Sequence, residues 1–194
     1  MNILWIGGWG IPPCWGLATV EAFFPGEKHV WKVPSPRALK DWQAFDLFLG
    51  YSLGANLILR AGLGSQASLL APFLDFKEEA GLGGRISLTQ LRYVRRWLRR
   101  DPVGALNDFF DRAGLSIQLS DLPYSDEDLH WGLDILTADW EAAEVGESQV
   151  VLGKVDPLLN ATSVAEFFTD ATVLEEVGHD LNGLLQGVCV RKET

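Results

Sequence analysis

The segment Gly50-Tyr51-Ser52-Leu53-Gly54 places a serine between two glycines in the pattern G-x-S-x-G. An apolar run typical of a strand precedes it and an apolar helical segment follows it, as a nucleophile elbow requires. Glycines suit the flanking positions because this sharp turn brings neighbouring backbone too close for a Cβ atom. The pattern predicts Ser52 as a nucleophile at the carboxyl edge of a sheet. The alternative is a turn serine whose glycines only allow tight packing.

A serine hydroxyl becomes a strong nucleophile only when a base accepts its proton. The chain has three histidines that could do so. His29 begins a predicted strand upstream of Ser52, and His130 lies inside a predicted helix. His179 directly follows a predicted strand, so it is expected at the sheet edge that carries Ser52. We therefore predict His179 as the base.

The base in turn needs a carboxylate that fixes its tautomer and stabilises the imidazolium ion. Asp156 follows a predicted strand at its carboxyl end, and Ser52, Asp156 and His179 come in the chain order expected after a nucleophile elbow. Asp75, after another predicted strand, is the competing candidate. Asp180 is too close in sequence to His179 to orient it well. Asp156 is therefore the favoured orienting acid.

Acyl transfer also needs an oxyanion hole, in which each N–H donor typically contributes about 3 kcal/mol of transition-state stabilisation. The backbone N–H of Leu53, directly after the serine, is one predicted donor. The backbone N–H of Trp9, in the glycine-rich loop at 7–10, is the other. The alternative is a loop with glycines and a core tryptophan. The loop is too short for G-x-G-x-x-G and lacks the lysine of a phosphate loop, which disfavours nucleotide binding.

Six arginines lie within the 16 residues from 85 to 100, a stretch without Asp or Glu. On a helix, Arg92, Arg95, Arg96 and Arg99 would share one face. Because the whole chain has a net charge of −10, this basic face favours an acidic macromolecular partner that is attracted electrostatically. The alternative is a solvated face that balances nearby acidic residues. The acidic balance of the chain argues against general binding to nucleic acid or to anionic membranes.

The composition of the 194 residues, 47% hydrophobic and 22% charged, suits one packed domain, or one domain with an insertion. Charges, glycines and prolines interrupt every apolar run before the roughly 18 residues that span a bilayer. The first residues lack the basic segment of a secretory signal. Two cysteines, Cys14 and Cys189, are too few for a disulfide framework or a zinc cluster. We expect a cytoplasmic protein with neither metal nor cofactor.

Apolar runs predict six strands, at 2–6, 29–33, 45–49, 67–73, 149–152 and 171–177. Helices predicted after residues 13, 54 and 179, and at 162–168, alternate with them, which is typical of a parallel sheet covered on both faces. Between about 77 and 140 the strand signals stop, and capping patterns predict helices that begin after Ser87, Asp101 and Ser125. The prediction is an α/β core at 1–76 and 141–194, interrupted by an all-helical lid at 77–140.

Together these residues resemble the α/β-hydrolase superfamily and, within it, the biotin-pathway carboxylesterases of the BioH type. The matching segments span nearly the whole chain and lie at 8–10, 50–54, 153–156, 178–179 and, most specific to the family, 129–136. The resemblance implies a minimal α/β-hydrolase fold of about six mostly parallel strands flanked by helices, with a helical lid. The chain departs from the family in having two strands fewer before its first strand, a shorter segment at 34–46, and Gly7 where relatives commonly carry histidine.

The resemblance further implies a serine carboxylesterase that hydrolyses the methyl ester of pimeloyl-acyl-carrier protein in biotin biosynthesis through an acyl-enzyme. The resemblance also implies that acyl-carrier protein docks on the lid arginines. Separately, we expect three aromatic side chains to line a channel for the acyl chain. The predicted substrate- and carrier-binding residues are Arg85, Arg92, Arg95, Arg96, Arg99, Phe73, Trp97 and Phe110. A monomer without nucleic-acid or membrane partners is expected. The alternatives are a short-chain carboxylesterase, thioesterase or acyltransferase without carrier specificity, and a non-catalytic binding module of the same fold.

Overall fold

Six parallel strands form one sheet in the computed structural model, which describes residues 1–141, 145 and 147–188. The strands, in chain order, are β1 (Asn2–Ile6), β2 (Lys28–Lys32), β3 (Leu47–Tyr51), β4 (Ser68–Leu70), β5 (Gln149–Gly153) and β6 (Ala171–Leu174). They are ordered β2-β1-β3-β4-β5-β6, and every neighbouring pair is parallel. The predicted six-stranded sheet is confirmed. Cys189 lies outside the described residues.

Both faces of the sheet are covered by helices. Ile3, Leu4, Trp5 and Ile6 are all completely buried although successive residues of a strand point to opposite faces. The helices are α1 (Pro13–Phe23), α2 (Leu53–Arg60), α3 (Leu88–Leu98), α4 (Pro102–Ala113), α5 (Asp126–Thr137), α6 (Ala161–Ala165) and α7 (Leu181–Leu185). Within the described part of the chain, none of them has the length and apolar character that crossing a membrane would take.

The order of the strands reverses at β1. The chain leaves β1 to form β2 on one side and then forms β3 on the other side of β1. In open parallel sheets, ligands bind at the carboxyl ends of the strands where the order reverses in this way. The loop with Trp9 follows β1, and Ser52 follows β3. The topology therefore brings the predicted nucleophile beside the predicted oxyanion loop.

Three helices form the segment predicted as a lid, and each begins at the predicted cap. Ser87 and Gln90 form a capping box at the start of α3. The side chains of Asp101 and Ser125 accept hydrogen bonds from the first turns of α4 and α5. The apolar side chains that the periodicity places on one face of each helix are buried. They are Leu91, Val94, Leu98, Leu106, Phe109, Phe110, Leu129, Leu133 and Leu136.

The structure corrects the bounds of three strands. β6 ends at Leu174 rather than at residue 177, because the chain turns there and the N–H of Val177 donates to the carbonyl of Leu174 at 3.4 Å. β4 ends at Leu70 rather than near residue 73, because Ala71 adopts a positive φ of 46° and turns the chain away from the sheet. The carbonyl of Phe73 then accepts a hydrogen bond from the Asn56 side chain instead of a neighbouring strand. β3 begins at Leu47 rather than at Phe45, because the N–H of Phe45 closes a short 3₁₀ turn onto Trp42.

The two ends of the helical segment meet at a buried ion pair. Lys77 Nζ lies 2.9 Å from the Asp75 carboxylate, and both side chains are less than a tenth exposed. Lys77 also donates to the carbonyl of Ala138 at 2.9 Å, and Asp75 accepts from the backbone N–H of Trp140 at 3.1 Å. Asp75 and Lys77 thus hold the entry and the exit of the segment together at the sheet.

Replacing Lys77 by methionine would leave the buried Asp75 carboxylate without its cation. Breaking a buried ion pair on one side costs about 3–5 kcal/mol, and we expect a loss of that size in the free energy of unfolding measured with urea. The matched control is Lys154→Met, which removes the cation of an exposed pair with Glu175. That change should cost less than about 1 kcal/mol, and equal losses in the two variants would contradict the clamp role of Asp75 and Lys77.

Candidate active site

Ser52 occupies a strained turn between β3 and α2. Its φ of 54° and ψ of −116° lie where residues other than glycine are rarely found. The backbone is held there from both sides, because Ser52 N–H donates to the Leu70 carbonyl at 2.8 Å and the Ser52 carbonyl accepts from Asn56 N–H at 3.1 Å. Strain of this kind persists at functional sites when the surrounding structure over-determines it.

The two glycines of the pattern are required by close backbone approaches. A Cβ atom on Gly50 would lie 2.7 Å from the backbone N of Ala55, one turn into α2. A Cβ atom on Gly54 would lie 2.0 Å from the carbonyl oxygen of Ile6, at the end of β1. The steric argument made from the sequence therefore holds at both positions, and α2 packs directly on the backbone of the neighbouring strand.

A chain of two hydrogen bonds links Ser52, His179 and Asp156. His179 Nε2 lies 2.9 Å from Ser52 Oγ, and His179 Nδ1 lies 2.6 Å from Asp156 Oδ2. In the tautomer that donates Nδ1–H to Asp156, the lone pair of Nε2 faces the serine hydroxyl. His179 and Asp156 are 3% and 1% exposed, which keeps water from competing for these bonds. The arrangement is able to withdraw the serine proton.

Asp156 is held by hydrogen bonds on the side away from His179. Its Oδ1 accepts from the backbone N–H groups of Leu158 and Leu159 at 2.7 and 3.1 Å. Its backbone carbonyl accepts from Arg85 Nη1 at 2.8 Å. These bonds fix the plane of the carboxylate, so its other oxygen stays directed at His179.

The loops after β5 and β6 run together and bring Asp156 beside His179. A Cβ atom on Gly153 would lie 2.2 Å from the carbonyl oxygen of Gly178, so glycine is needed for this approach. The N–H of Val155 donates to the carbonyl of Val177 at 3.1 Å. The backbone contact places the two side chains next to each other although 23 positions separate them in sequence.

The competing histidines and acids have structural partners elsewhere. His29 Nδ1 accepts from the Trp5 indole at 3.1 Å, and its Nε2 contacts the Phe24 carbonyl. His130 lies on α5, 3.7 Å from Asp126. Asp180 caps α7, and Asp75 pairs with Lys77 as described above.

Tyr51, for which the sequence predicts no role, holds the backbone of His179 through a hydrogen bond. Its hydroxyl donates to the backbone carbonyl of His179 at 2.7 Å. Burial, with the added charges of Asp156 and Asp180, raises the pKa of Tyr51 well above its usual value, so the hydroxyl stays protonated and keeps donating. A single tyrosine carries no spacing signal beyond its place in the elbow, and the sequence could not have indicated this role.

The two predicted oxyanion donors lie at the same place on the sheet edge. A Cβ atom on Gly8 would lie 3.3 Å from Ser52 Cβ, so the loop after β1 touches the nucleophile. A Cβ atom on Gly132 of α5 would contact both Trp9 and Leu53 side chains. Within the part of the chain that the structure describes, the backbone N–H groups of Trp9 and Leu53 donate no hydrogen bond. Their role as donors remains a prediction.

The aromatic residues predicted for an acyl channel lie in different surroundings. Phe110 packs against the loop at 7–10, with its Cζ 3.2 Å from where a Cβ of Gly10 would lie. Phe73 is buried with its ring centroid 4.9 Å from that of Phe76. Trp97 lines a surface cleft of about 510 Å³ together with Tyr93, Arg96, Arg100 and Asp101. The channel stays a prediction.

The lid arginines divide into exposed and engaged side chains. Arg92 and Arg96 are exposed on α3, and Arg99 is exposed at the C-terminal cap of that helix. Arg95 instead pairs with Asp134 of α5 at 2.6 Å and donates to the Thr137 hydroxyl. Arg85 contacts the backbone of Asp156. Part of the predicted carrier-binding set therefore has contacts within the molecule.

Among the described residues, no group of three or more His, Cys, Asp or Glu side chains is arranged to hold a metal ion.

The parallel sheet with its elbow after β3, and the helical segment inserted between β4 and β5, define an α/β-hydrolase fold. The N-formylmaleamic acid deformylase Nfo from Pseudomonas putida has a similar structure, with a TM-score of 0.57 and 14% identity over 97% of this chain and 91% of that chain. This comparison confirms the predicted fold.

Two further solved structures align less closely. BioG from Haemophilus influenzae has a TM-score of 0.45 and 13% identity, over 95% of this chain and 90% of that chain. DcsB in complex with its substrate analogue has a TM-score of 0.44 and 15% identity, over 94% and 84%. No protein-family model and no curated protein matches the chain.

The close approach of α2 to β1 makes Gly54→Ala a sharp test of the elbow. Because the obstructing atom is the backbone oxygen of Ile6, α2 must shift to admit a Cβ atom. We expect a loss of at least about 2 kcal/mol in the free energy of unfolding, measured with urea. Gly178→Ala is the control, since its Cβ atom would lie 3.8 Å from the nearest other atom. A Gly54 variant as stable as the Gly178 variant would contradict this packing.

Proposed function

We propose that the protein is a serine carboxylesterase that works through an acyl-enzyme. The observation that carries the proposal is the hydrogen-bonded chain from Ser52 Oγ through His179 to the buried Asp156 carboxylate. In the proposed roles, Ser52 is the nucleophile, His179 the general base and acid, and Asp156 the group that orients His179.

The proposed reaction proceeds in two balanced halves. Ser52 Oγ attacks the ester carbonyl carbon while its proton passes to His179 Nε2, and the backbone N–H groups of Leu53 and Trp9 bind the oxyanion. Collapse of the tetrahedral intermediate breaks the bond to the alcohol, which leaves with the proton from His179. A water molecule, deprotonated by His179, then attacks the acyl-enzyme and releases the acid and free Ser52. None of these steps needs a metal or a cofactor.

The proposed triad predicts the effects of two single substitutions. Ser52→Ala should abolish covalent labelling by a fluorophosphonate and lower kcat for a small aryl ester by at least about 10⁴-fold, because no nucleophile remains. Asp156→Asn keeps the shape but favours the wrong tautomer of His179, and it should lower kcat by about 10⁴-fold. Asp180→Asn, which keeps a capping side chain at the start of α7, is the control and should leave more activity. Labelling that persists in Ser52→Ala would reject the proposed nucleophile.

The substrate that we propose is pimeloyl-acyl-carrier protein methyl ester, hydrolysed to the free acid and methanol in the cytoplasm. The resemblance to BioH-type carboxylesterases favours this ester, as does the basic surface of the lid. Phe110, beside the oxyanion loop, together with Phe73 and Trp97, is proposed to contact the acyl chain. Incubation with the carrier-bound methyl ester, followed by mass spectrometry of the carrier, tests the reaction directly. Failure of the well-expressed protein to restore growth of a biotin auxotroph lacking its esterase would count against this substrate.

Charge complementarity supports docking of an acidic carrier protein on α3. Arg92, Arg96 and Arg99 project three cations from one helix of a chain whose net charge is −10. The first turn of the helix itself carries no acidic residue, and the one carboxylate bound at its start, that of Glu79, accepts from the N–H of Leu88. An acidic partner would therefore be attracted to this helix and repelled by the net charge of the rest of the chain.

A combined variant, in which Arg92, Arg96 and Arg99 are each changed to Glu, reverses the three exposed charges. We expect its kcat/KM for the carrier-bound ester to be lower by at least about tenfold at low salt. Added salt should shrink this difference, because it screens exposed charges. Hydrolysis of a small aryl ester should stay unchanged. Arg37→Glu, at an exposed arginine between β2 and β3, is the control for a charge change outside the lid. Equal losses on both substrates would contradict docking at this surface.

A further inference from the structure

The loop that carries Trp9 is a tight turn. The N–H of Ile11 donates to the carbonyl of Gly8 at 3.4 Å, which closes a four-residue turn over residues 8–11. Gly10, third in this turn, has a φ of 76°, the value that a type II turn requires there. The central peptide group, between Trp9 and Gly10, is the one whose orientation distinguishes type II from type I turns. The conformation of Trp9 therefore depends on what holds this peptide.

Residues of the helical segment at 77–140 contact this turn through hydrogen bonds and ring packing. The N–H of Gly10 donates to the Tyr124 hydroxyl at 2.7 Å, and the Trp9 indole N–H donates to the Leu129 carbonyl at 2.8 Å. The Phe109 ring meets the Trp9 ring edge-on, with centroids 4.9 Å apart. Tyr124 is the residue whose side chain contacts the central peptide by a hydrogen bond, so it bears most directly on the orientation of that peptide.

The Tyr124 hydroxyl stays protonated and is able to keep accepting the hydrogen bond from the Gly10 N–H. Burial raises the pKa of Tyr124 far above its usual range, with the Asp128 charge acting in the same direction and the hydrogen bond from Gly10 opposing it. The side chain is therefore neutral near pH 7, and its oxygen accepts the Gly10 N–H there. Phenylalanine would keep the ring and its packing while removing only the acceptor.

We propose that Tyr124 is a positioning residue for the oxyanion hole. Its hydroxyl fixes the Trp9–Gly10 peptide, which keeps the preceding N–H, that of Trp9, directed at the oxyanion formed beside Ser52. The lid is thereby a part of the catalytic machinery as well as a cover. This inference rests on the proposed function, because it assigns Tyr124 a role only in a reaction that forms an oxyanion.

The test is Tyr124→Phe, measured with a small aryl ester. We expect kcat to fall by about 10- to 100-fold, since losing an oxyanion donor outright costs 100- to 1,000-fold and here the donor is only less well held. KM should change by less than about twofold, because the interaction acts in the transition state. The affinity for a trifluoromethyl ketone, which forms a tetrahedral adduct with the serine, should fall by the same factor as kcat/KM.

Amide hydrogen exchange gives a readout that is independent of turnover. The Gly10 amide should be protected in the unchanged protein and exchange rapidly in Tyr124→Phe, while the amides of α4 and α5 keep their protection. Tyr93→Phe is the matched control, since Tyr93 is an exposed lid tyrosine on α3. It should change neither kcat nor the exchange of Gly10.

The outcomes separate this inference from the proposed function. Turnover by the unchanged protein that Ser52→Ala abolishes and Tyr124→Phe leaves intact would overturn the role of Tyr124 alone. A fall in kcat accompanied by lost protection across α4 and α5 would also overturn it, because the effect would then be that of an unfolded lid. No turnover by the unchanged protein would reject the proposed function, and the positioning role with it.

Discussion

The backbone of α2 rests directly on the end of β1, at a point where Gly54 leaves no space for a Cβ atom beside the Ile6 carbonyl. This contact forces the chain to turn sharply at Ser52 and keeps the loop after β1 beside the serine. A second contact of the same kind, between Gly153 and Gly178, brings the loops after β5 and β6 together. Both contacts join backbone to backbone, and so the relative positions of Ser52, Asp156 and His179 depend little on flexible side chains. A reactive site needs this rigidity, since small displacements of its groups cost much of their effect.

Several contacts anchor the helical segment at the sheet edge that carries this site. The Asp75–Lys77 pair holds its two ends together, Arg85 contacts the loop that carries Asp156, and Tyr124 contacts the loop that carries Trp9. The segment therefore contributes to the geometry of the sheet edge as well as covering it. Arg85 and Arg95 have partners inside the molecule, whereas Arg92 and Arg96 on α3 and Arg99 at its C-terminal cap face solvent. These exposed arginines form the surface on which we propose that an acidic carrier protein docks.

Most secondary structure could be predicted because its signals are local. Continuous apolar runs marked the strands, and Ser87, Asp101 and Ser125 marked the helix starts through hydrogen bonds within one turn. The ends of β3 and β4 were less predictable. They depend on a short 3₁₀ turn at Trp42 and on the positive φ of Ala71, which follow from packing rather than from residue type. Tyr51 and Tyr124 were missed for the same reason, since their hydroxyls bond to backbone groups more than a hundred positions away.

The amino-acid sequence by itself determined the alternation of strands and helices, the position of the elbow and the small set of residues able to act as base and acid. These follow from hydrophobic periodicity, from glycine at positions of close approach and from the scarcity of histidine. Only the tertiary structure decided that Asp156 rather than Asp75 lies beside His179, and that the lid holds the loop of Trp9. Those choices depend on how loops from distant strands meet at one edge of the sheet, and the distance between two side chains in space is not encoded by their separation along the chain.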